Sequence, residues 1–385
     1  MSREGRWTLR YDFILIAVVL LLTLFGLVTL YSASYLFAEN QPQRFNNGFA
    51  PLTGNLAACL LMVAIFPILA LIRLEWLRKG WMVVLLVFFT FVFNMLPFLK
   101  VFQRNDYAMR WITLREGIGF QPSELIKITL PLYLAYILDK NNEKLNSFVY
   151  GPLPPVVVTA LFCTLVLIQS NLSDAVLIAL TSLLICFIAG IRLRWFALVL
   201  LIAAPVAHRL IFSNKDGRWY QRIVSWFSRD TSSPVLKTQI DFSLEAIKAG
   251  GFWGKGIGQG TVKIRMPEVH GDFVFASFVE ESGFLGVVFY LVLMGVFAGI
   301  GYMVAWRSKN RFIQLLAFGL VTPIVIQTLL NIAVVANIIP TTGVPLPFVS
   351  SGGSSLLVTL VSAALLVNIT RRHIKSEAMG EDYAG

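Results

Sequence analysis

Apolar and polar positions along this chain fall into long blocks. They do not follow the three- to four-residue alternation of a helix that is wet on one side. Apolar runs cover 13–31, 56–72, 81–98, 124–138, 153–168, 175–190, 195–212, 272–306, 312–336 and 356–369, separated by stretches carrying Gly, Pro or charge. A helix needs about 20 mostly apolar residues to cross a bilayer core, so the runs predict about ten spanning helices. Those at 124–138, 153–168 and 175–190 are short for a full crossing. The first run follows Arg3, Arg6 and Arg10 and precedes Ser32-Ala33-Ser34, the outline of a signal peptide. It exceeds the usual signal core of about 7–15 residues and is expected to remain as the first span.

Composition supports the pattern. Of 385 residues, 57% are hydrophobic and 14% charged, and the mean hydropathy is +0.73; soluble domains carry about 25% charged residues. The predicted fold class is all-α: a polytopic membrane protein, one integral membrane domain over 1–385, with a large extracytoplasmic loop at 213–271. Cys59, Cys163 and Cys186 all lie in apolar runs, which argues against a disulfide framework. His208, His270 and His373 are scattered, so no metal-ligand set is predicted.

The net charge of +11 changes the picture only through its location. Arg73, Arg78 and Lys79, then Lys140 and Lys144, then Arg192 and Arg194, then Arg307, Lys309 and Arg311, then Arg371, Arg372 and Lys375 fall on alternate connections. By the positive-inside rule those connections and both termini are cytoplasmic. Two segments on the other side keep positive charge: one with Arg110 and Arg115, and the 213–271 loop with Arg222, Lys248, Lys255 and Arg265. Roughly 60 residues is long for an unstructured connection. Trp219, Tyr220, Trp226, Phe227, Phe242 and Trp253 punctuate this one, predicting a segment lying in the membrane interface. Ile240, Leu244 and Ile247 recur at helical spacing there, with Gly250-Gly251 as the stop. Cations retained on that side point to an anionic ligand at the membrane and away from nucleic acid.

Four stretches carry candidate chemistry. Asp272 sits where the polar loop meets an apolar run; a carboxylate there either caps the next helix or is functional. Gln121-Pro122-Ser123-Glu124 starts a helix and puts Glu124 and Lys127 on one face. Gly254-Lys255-Gly256-Ile257-Gly258-Gln259-Gly260 lacks the spacing of a phosphate loop but could bring Lys255 to a lipid phosphate. The uncharged 340–355, with Pro345, Pro347, Gly352, Gly353 and four serines, predicts a re-entrant turn of non-helical backbone.

Several of these stretches resemble the SEDS family (shape, elongation, division, sporulation). The matching pieces are Gly26 to Ser34, Arg110-Trp111-Ile112, Gln121 to Lys127, Gly254 to Gln259, Pro267 to Phe275, and Gly343 to Ser355, in family order along the whole chain. The resemblance implies a peptidoglycan glycosyltransferase of the bacterial cytoplasmic membrane that polymerises lipid II and releases undecaprenyl pyrophosphate. It implies Asp272 as the catalytic carboxylate, with Arg110, Glu124, Lys127, Lys255, Gln259, His270 and Ser350 as substrate-binding residues. Glu124 is expected either to pair with one of the cations Arg110, Lys127 and Lys255 or to help hold a divalent cation, Mg2+ or Mn2+. Expected partners are a class B penicillin-binding transpeptidase, divisome or elongasome proteins, and membrane lipid. Division, elongation and sporulation roles are not separated. The alternatives are a lipid II flippase and a structural scaffold. Three departures stand out. Asn171 occupies the place of a family Asp, with Asp174 three positions on. Gly271 replaces a common Thr, and Ser351 a common Tyr.

Overall fold

The computed structural model describes residues 11–40, 50–99, 110–115, 118–213, 217–228, 234–262, 265 and 271–379. Every predicted span is a helix. These are α1 (Tyr11–Asn40), α2 (Ala50–Leu71), α3 (Gly80–Met95), α4 (Ile126–Lys140), α5 (Leu153–Ile168), α6 (Leu172–Ile188) and α7 (Leu193–Phe212). Two loop helices follow, α8 (Arg218–Ser228) and α9 (Pro234–Gly250), then α10 (Val274–Arg307), α11 (Arg311–Val335) and α12 (Gly353–Met379). Backbone in lipid must satisfy its own hydrogen bonds, which is why each apolar block becomes a helix. Among the described residues seven helices are long and apolar enough to cross a membrane, and α5 and α6 are shorter apolar helices of 16 and 17 residues. An antiparallel hairpin, β1 (Ile112–Arg115) with β2 (Ile118–Phe120), precedes a 3-10 turn at Pro122–Leu125 that leads into α4.

The bundle is organised on α11, which packs against α4, α6, α10 and α12, while α2 lies along α12 and α1 along α10. By contrast α7 has no buried residue in its apolar stretch and meets the rest chiefly through α8. Side-chain contacts tie like ends together. At one end Arg78 pairs with Asp139 at 3.0 Å and Arg372 with Glu75 at 3.3 Å. At the other, Gln169 donates to the carbonyl of Asn94 (2.9 Å) and Asn55 to that of Ser350 (3.0 Å). This second end is the Asp272 end.

Three local expectations gain detail. The short helix expected around Ile240–Ile247 exists and is longer than its apolar repeat, running Pro234–Gly250, with Gly250 as its last residue. The aromatic part of the loop forms a second helix, α8, with its apolar and polar residues on opposite faces. The 340–349 backbone is non-helical and buried in protein, with Val344, Leu346, Phe348 and Val349 all sealed from solvent. The run expected to be one helix from 272 is broken: Gly283 has φ +64° and ψ −166° inside α10.

Candidate active site

Asp272 is half-buried and stands just outside α10. The N-cap position of α10 is Phe273, one residue past Asp272, and Phe273 makes no side-chain cap. What holds it is tertiary. Asn331 of α11 donates through Nδ2 to the Asp272 carbonyl (2.9 Å) and to that of Val344 (2.7 Å). Ser350 donates to the Gly271 carbonyl (2.9 Å) and accepts from the Leu346 N–H (2.6 Å). Backbone polar groups this deep lose about 1–3 kcal/mol each if left unpaired, so these amide and hydroxyl groups fix the loop geometry.

The re-entrant turn passes directly beside the carboxylate. Gly343 has φ +81°, and a Cβ there would lie 3.2 Å from Asp272 Oδ2 and 3.8 Å from Arg222 Nη1. Carboxylate and guanidinium thus converge on one glycine. Arg222 comes from α8 and donates through Nη1 to the carbonyls of Thr341 (3.3 Å) and Thr342 (3.1 Å). Ser173, in the first turn of α6, also donates to the Thr342 carbonyl. Loop helix, re-entrant turn and two spanning helices therefore meet around Asp272.

A second polar cluster lies deeper. Lys127 Nζ is 2.7 Å from Glu124 Oε1 and 3.7 Å from Asp174 Oδ1, and all three side chains are buried. Asp174 Oδ2 accepts from Gln121 (3.0 Å), Ser123 (3.2 Å) and Asn171 (2.6 Å). Asn171 also caps α6 by accepting from the Asp174 N–H at 3.2 Å. Lys127 reaches Gln327 Oε1 (3.4 Å), whose Nε2 donates to the Pro345 carbonyl (2.9 Å) and so ties the cluster to the re-entrant turn. Taking charges out of water costs several kcal/mol per ion, and only this density of partners offsets it. Among the described residues no group of three His, Cys, Asp or Glu side chains could hold a metal. The ammonium of Lys127 stands between the two carboxylates where a divalent ion would go, so this donor set does not fit Mg2+ or Mn2+.

The remaining predicted residues are spread. Lys255 is half-exposed and bonded to Glu280 (2.8 Å) and Thr261 (3.1 Å), so it is engaged by protein and not presented alone to a phosphate. Its glycine-rich turn splices the break in α10. The Lys255 and Gly256 N–H groups donate to the carbonyls of Glu280 (3.0 Å) and Glu281 (2.9 Å), which the break at Gly283 leaves without helical partners. The Glu280 carboxylate further accepts from the N–H groups of Thr261 (2.8 Å) and Val262 (3.0 Å). Glu281 accepts from Ser32 (2.6 Å) and the Gly258 N–H (3.0 Å). Gln259 is exposed at the tip of this turn. Arg110 sits at the turn before β1, and His270 lies outside the described residues. Sequence reasoning missed Asp174, Asn331, Gln327 and the acids at Glu280 and Glu281, and did not single out Arg222. A signal existed for some: Gln327 and Asn331 lie four apart on one face of an apolar helix, and two adjacent acids interrupt another.

The sequence matches the cell cycle protein family FtsW/RodA/SpoVE over residues 12–375. A probable peptidoglycan glycosyltransferase FtsW of Geobacter sulfurreducens is 34% identical over 365 residues, covering 94% of this chain and 96% of the relative. The corresponding Bacillus subtilis protein is 32% identical over 377 residues, covering 94% and 90%. The fold is shared with a chain from a solved structure on the coordination of polymerization and crosslinking by a peptidoglycan synthase complex. That match has a TM-score of 0.75 at 24% identity and covers 93% of this chain and 97% of the other. On a match that runs from the first spanning helix to the last, the chain belongs to the FtsW/RodA/SpoVE family of cell cycle proteins.

Proposed function

We propose that this chain polymerises lipid II into glycan strands at the outer face of the bacterial cytoplasmic membrane. The enzyme class is that of its relatives, a peptidoglycan glycosyltransferase. The observation that carries the mechanism is the placement of Asp272, a half-buried carboxylate at a membrane boundary beside the Arg222 guanidinium. In the proposed step Asp272 takes the proton of the GlcNAc 4-hydroxyl of one substrate. The freed oxygen attacks the MurNAc anomeric carbon of the other, the bond to the pyrophosphate oxygen breaks, and undecaprenyl pyrophosphate leaves with inversion. Arg222, with Arg110 on the same side, is assigned to the charge developing on the pyrophosphate. Lys127 and Glu124 hold the re-entrant turn through Gln327, and Lys255 holds the loop through Glu280. No metal-assisted step is included.

The Lys/Arg bias supports a topology with both termini in the cytoplasm and the 213–271 loop outside, within one integral membrane domain. A class B penicillin-binding transpeptidase, within a divisome or elongasome, is the proposed partner that crosslinks the product. The test is lipid II polymerisation by purified Asp272→Ala. Loss of glycan product with retained lipid II binding supports the enzyme; wild-type yield from folded variant refutes the assignment.

A further inference from the structure

At the end of the bundle opposite Asp272, α2 and α12 border a cavity of about 510 Å³. Ala70 and Leu71 form its apolar wall, and Arg73, Arg371 and Arg372 supply three guanidinium groups against the single carboxylate of Glu75. Arg372 is fixed in place. It donates to Asn368 Oδ1 (3.0 Å), to the Ile72 carbonyl (2.9 Å) and to Glu75 (3.3 Å). Asn368 in turn donates to the carbonyls of Leu69 (2.7 Å) and Ile72 (2.8 Å) at the end of α2. The side chains of Arg73 and Arg371 line the same cavity and, among the described residues, make no ion pair or hydrogen bond. Nearby Arg78 differs: it is settled on Asp139 at 3.0 Å.

Depth markers say what faces this cavity. Trp76 is exposed, with Lys79 Nζ 5.0 Å from its ring centroid, the pairing expected at the headgroup level. Ile68 and Leu71, one turn earlier, are each 66% exposed on the lipid-facing flank of α2. Phosphates therefore stand at the height of the arginines, and acyl chains run along Ile68 and Leu71. We infer that Arg73, Arg371 and Arg372 form a site for the phosphodiester headgroup of an anionic phospholipid, in the leaflet that the proposed orientation makes cytoplasmic. A basic pocket between spanning helices on that side is the chemistry such headgroups recognise. Arg73 and Arg371, which have no acidic partner among the described residues, then gain counter-charge from lipid, and the bound lipid clamps α2 to α12.

The test uses the full chain purified in neutral detergent, with dioleoylphosphatidylglycerol titrated in. Bound lipid is counted by native mass spectrometry and the unfolding midpoint is followed. The expected result is a saturable adduct and a rising midpoint with phosphatidylglycerol, and neither with phosphatidylcholine. Arg73→Ala/Arg371→Ala weakens the adduct about 25-fold, roughly fivefold per arginine, while lipid II polymerisation stays intact. Arg192→Ala/Arg194→Ala, an equal charge loss in another connection of the same face, leaves it unchanged. Equal loss in both double variants would reduce the effect to general surface charge. Equal binding of phosphatidylcholine would overturn the headgroup assignment. A full midpoint shift from inorganic phosphate alone would make it a free-anion site. The outcomes that overturn the lipid site are read from lipid binding and the unfolding midpoint and not from polymerisation, so the inference and the proposed activity fail separately.

Discussion

Glu124 and Asp174 are 2% and 3% exposed, with Lys127 between them and amide or hydroxyl donors on the oxygens that remain. Asp272 lies across the re-entrant turn from that cluster. It is half-buried, its main chain is held by Asn331, and the Arg222 guanidinium shares its glycine. Both sites put carboxylate near cation at the same end of the bundle. They differ in exposure: the deep cluster is sealed within protein, whereas the boundary carboxylate is half-buried and open to water. A settled cluster is suited to fixing shape, and an accessible carboxylate to moving a proton.

The comparison can be broken by removing one charge from each side. Asp272→Asn should lower polymerisation by about 100- to 10,000-fold, the usual range for a lost general base, with the unfolding midpoint little changed. Lys127→Met should do the opposite. Leaving two buried acids without their cation costs about 3–5 kcal/mol, so folded yield and thermal midpoint fall first. A Lys127→Met protein as stable as wild type but inactive would move Lys127 into the catalytic machinery. Arg222→Ala should reduce turnover about 10- to 100-fold through loss of charge-assisted hydrogen bonds, with partial recovery in Arg222→Lys. Wild-type kinetics in Arg222→Ala would leave Asp272 without its assigned cation. The smallest effect belongs to Lys255→Ala. Its side chain is 32% exposed, and Glu280 keeps its backbone donors, so we expect about 1 kcal/mol of destabilisation and near-normal turnover. A turnover loss matching Arg222→Ala would restore Lys255 as a substrate cation.

Particular residues show where the sequence was readable. Asp272 stood out because a carboxylate at the edge of an apolar run is costly, and that cost is visible in one dimension. The re-entrant turn was readable because prolines, glycines and serines at membrane depth exclude a helix. Asp174 was not. Three positions from Asn171 along the chain reads as a displaced acid, yet on α6 it is the next turn, where Asn171 donates to it and Lys127 faces it. Lys255 misled in the other direction: a lysine among glycines looks offered to a ligand, and its partner, Glu280, lies 25 residues away, just before a helix break.

What the sequence settled by itself was the set of spanning helices, because lipid forces apolar backbone to pair within its own segment. It also located Asp272 at the edge of an apolar run, since that position depends only on neighbours along the chain. Beyond the local Glu124–Lys127 pair, which distant polar groups meet was decided by packing. Ser32 meets Glu281 across 249 residues and Lys127 meets Gln327 across 200. Such pairings depend on which helices lie side by side, and a block pattern of apolar residues is indifferent to that order.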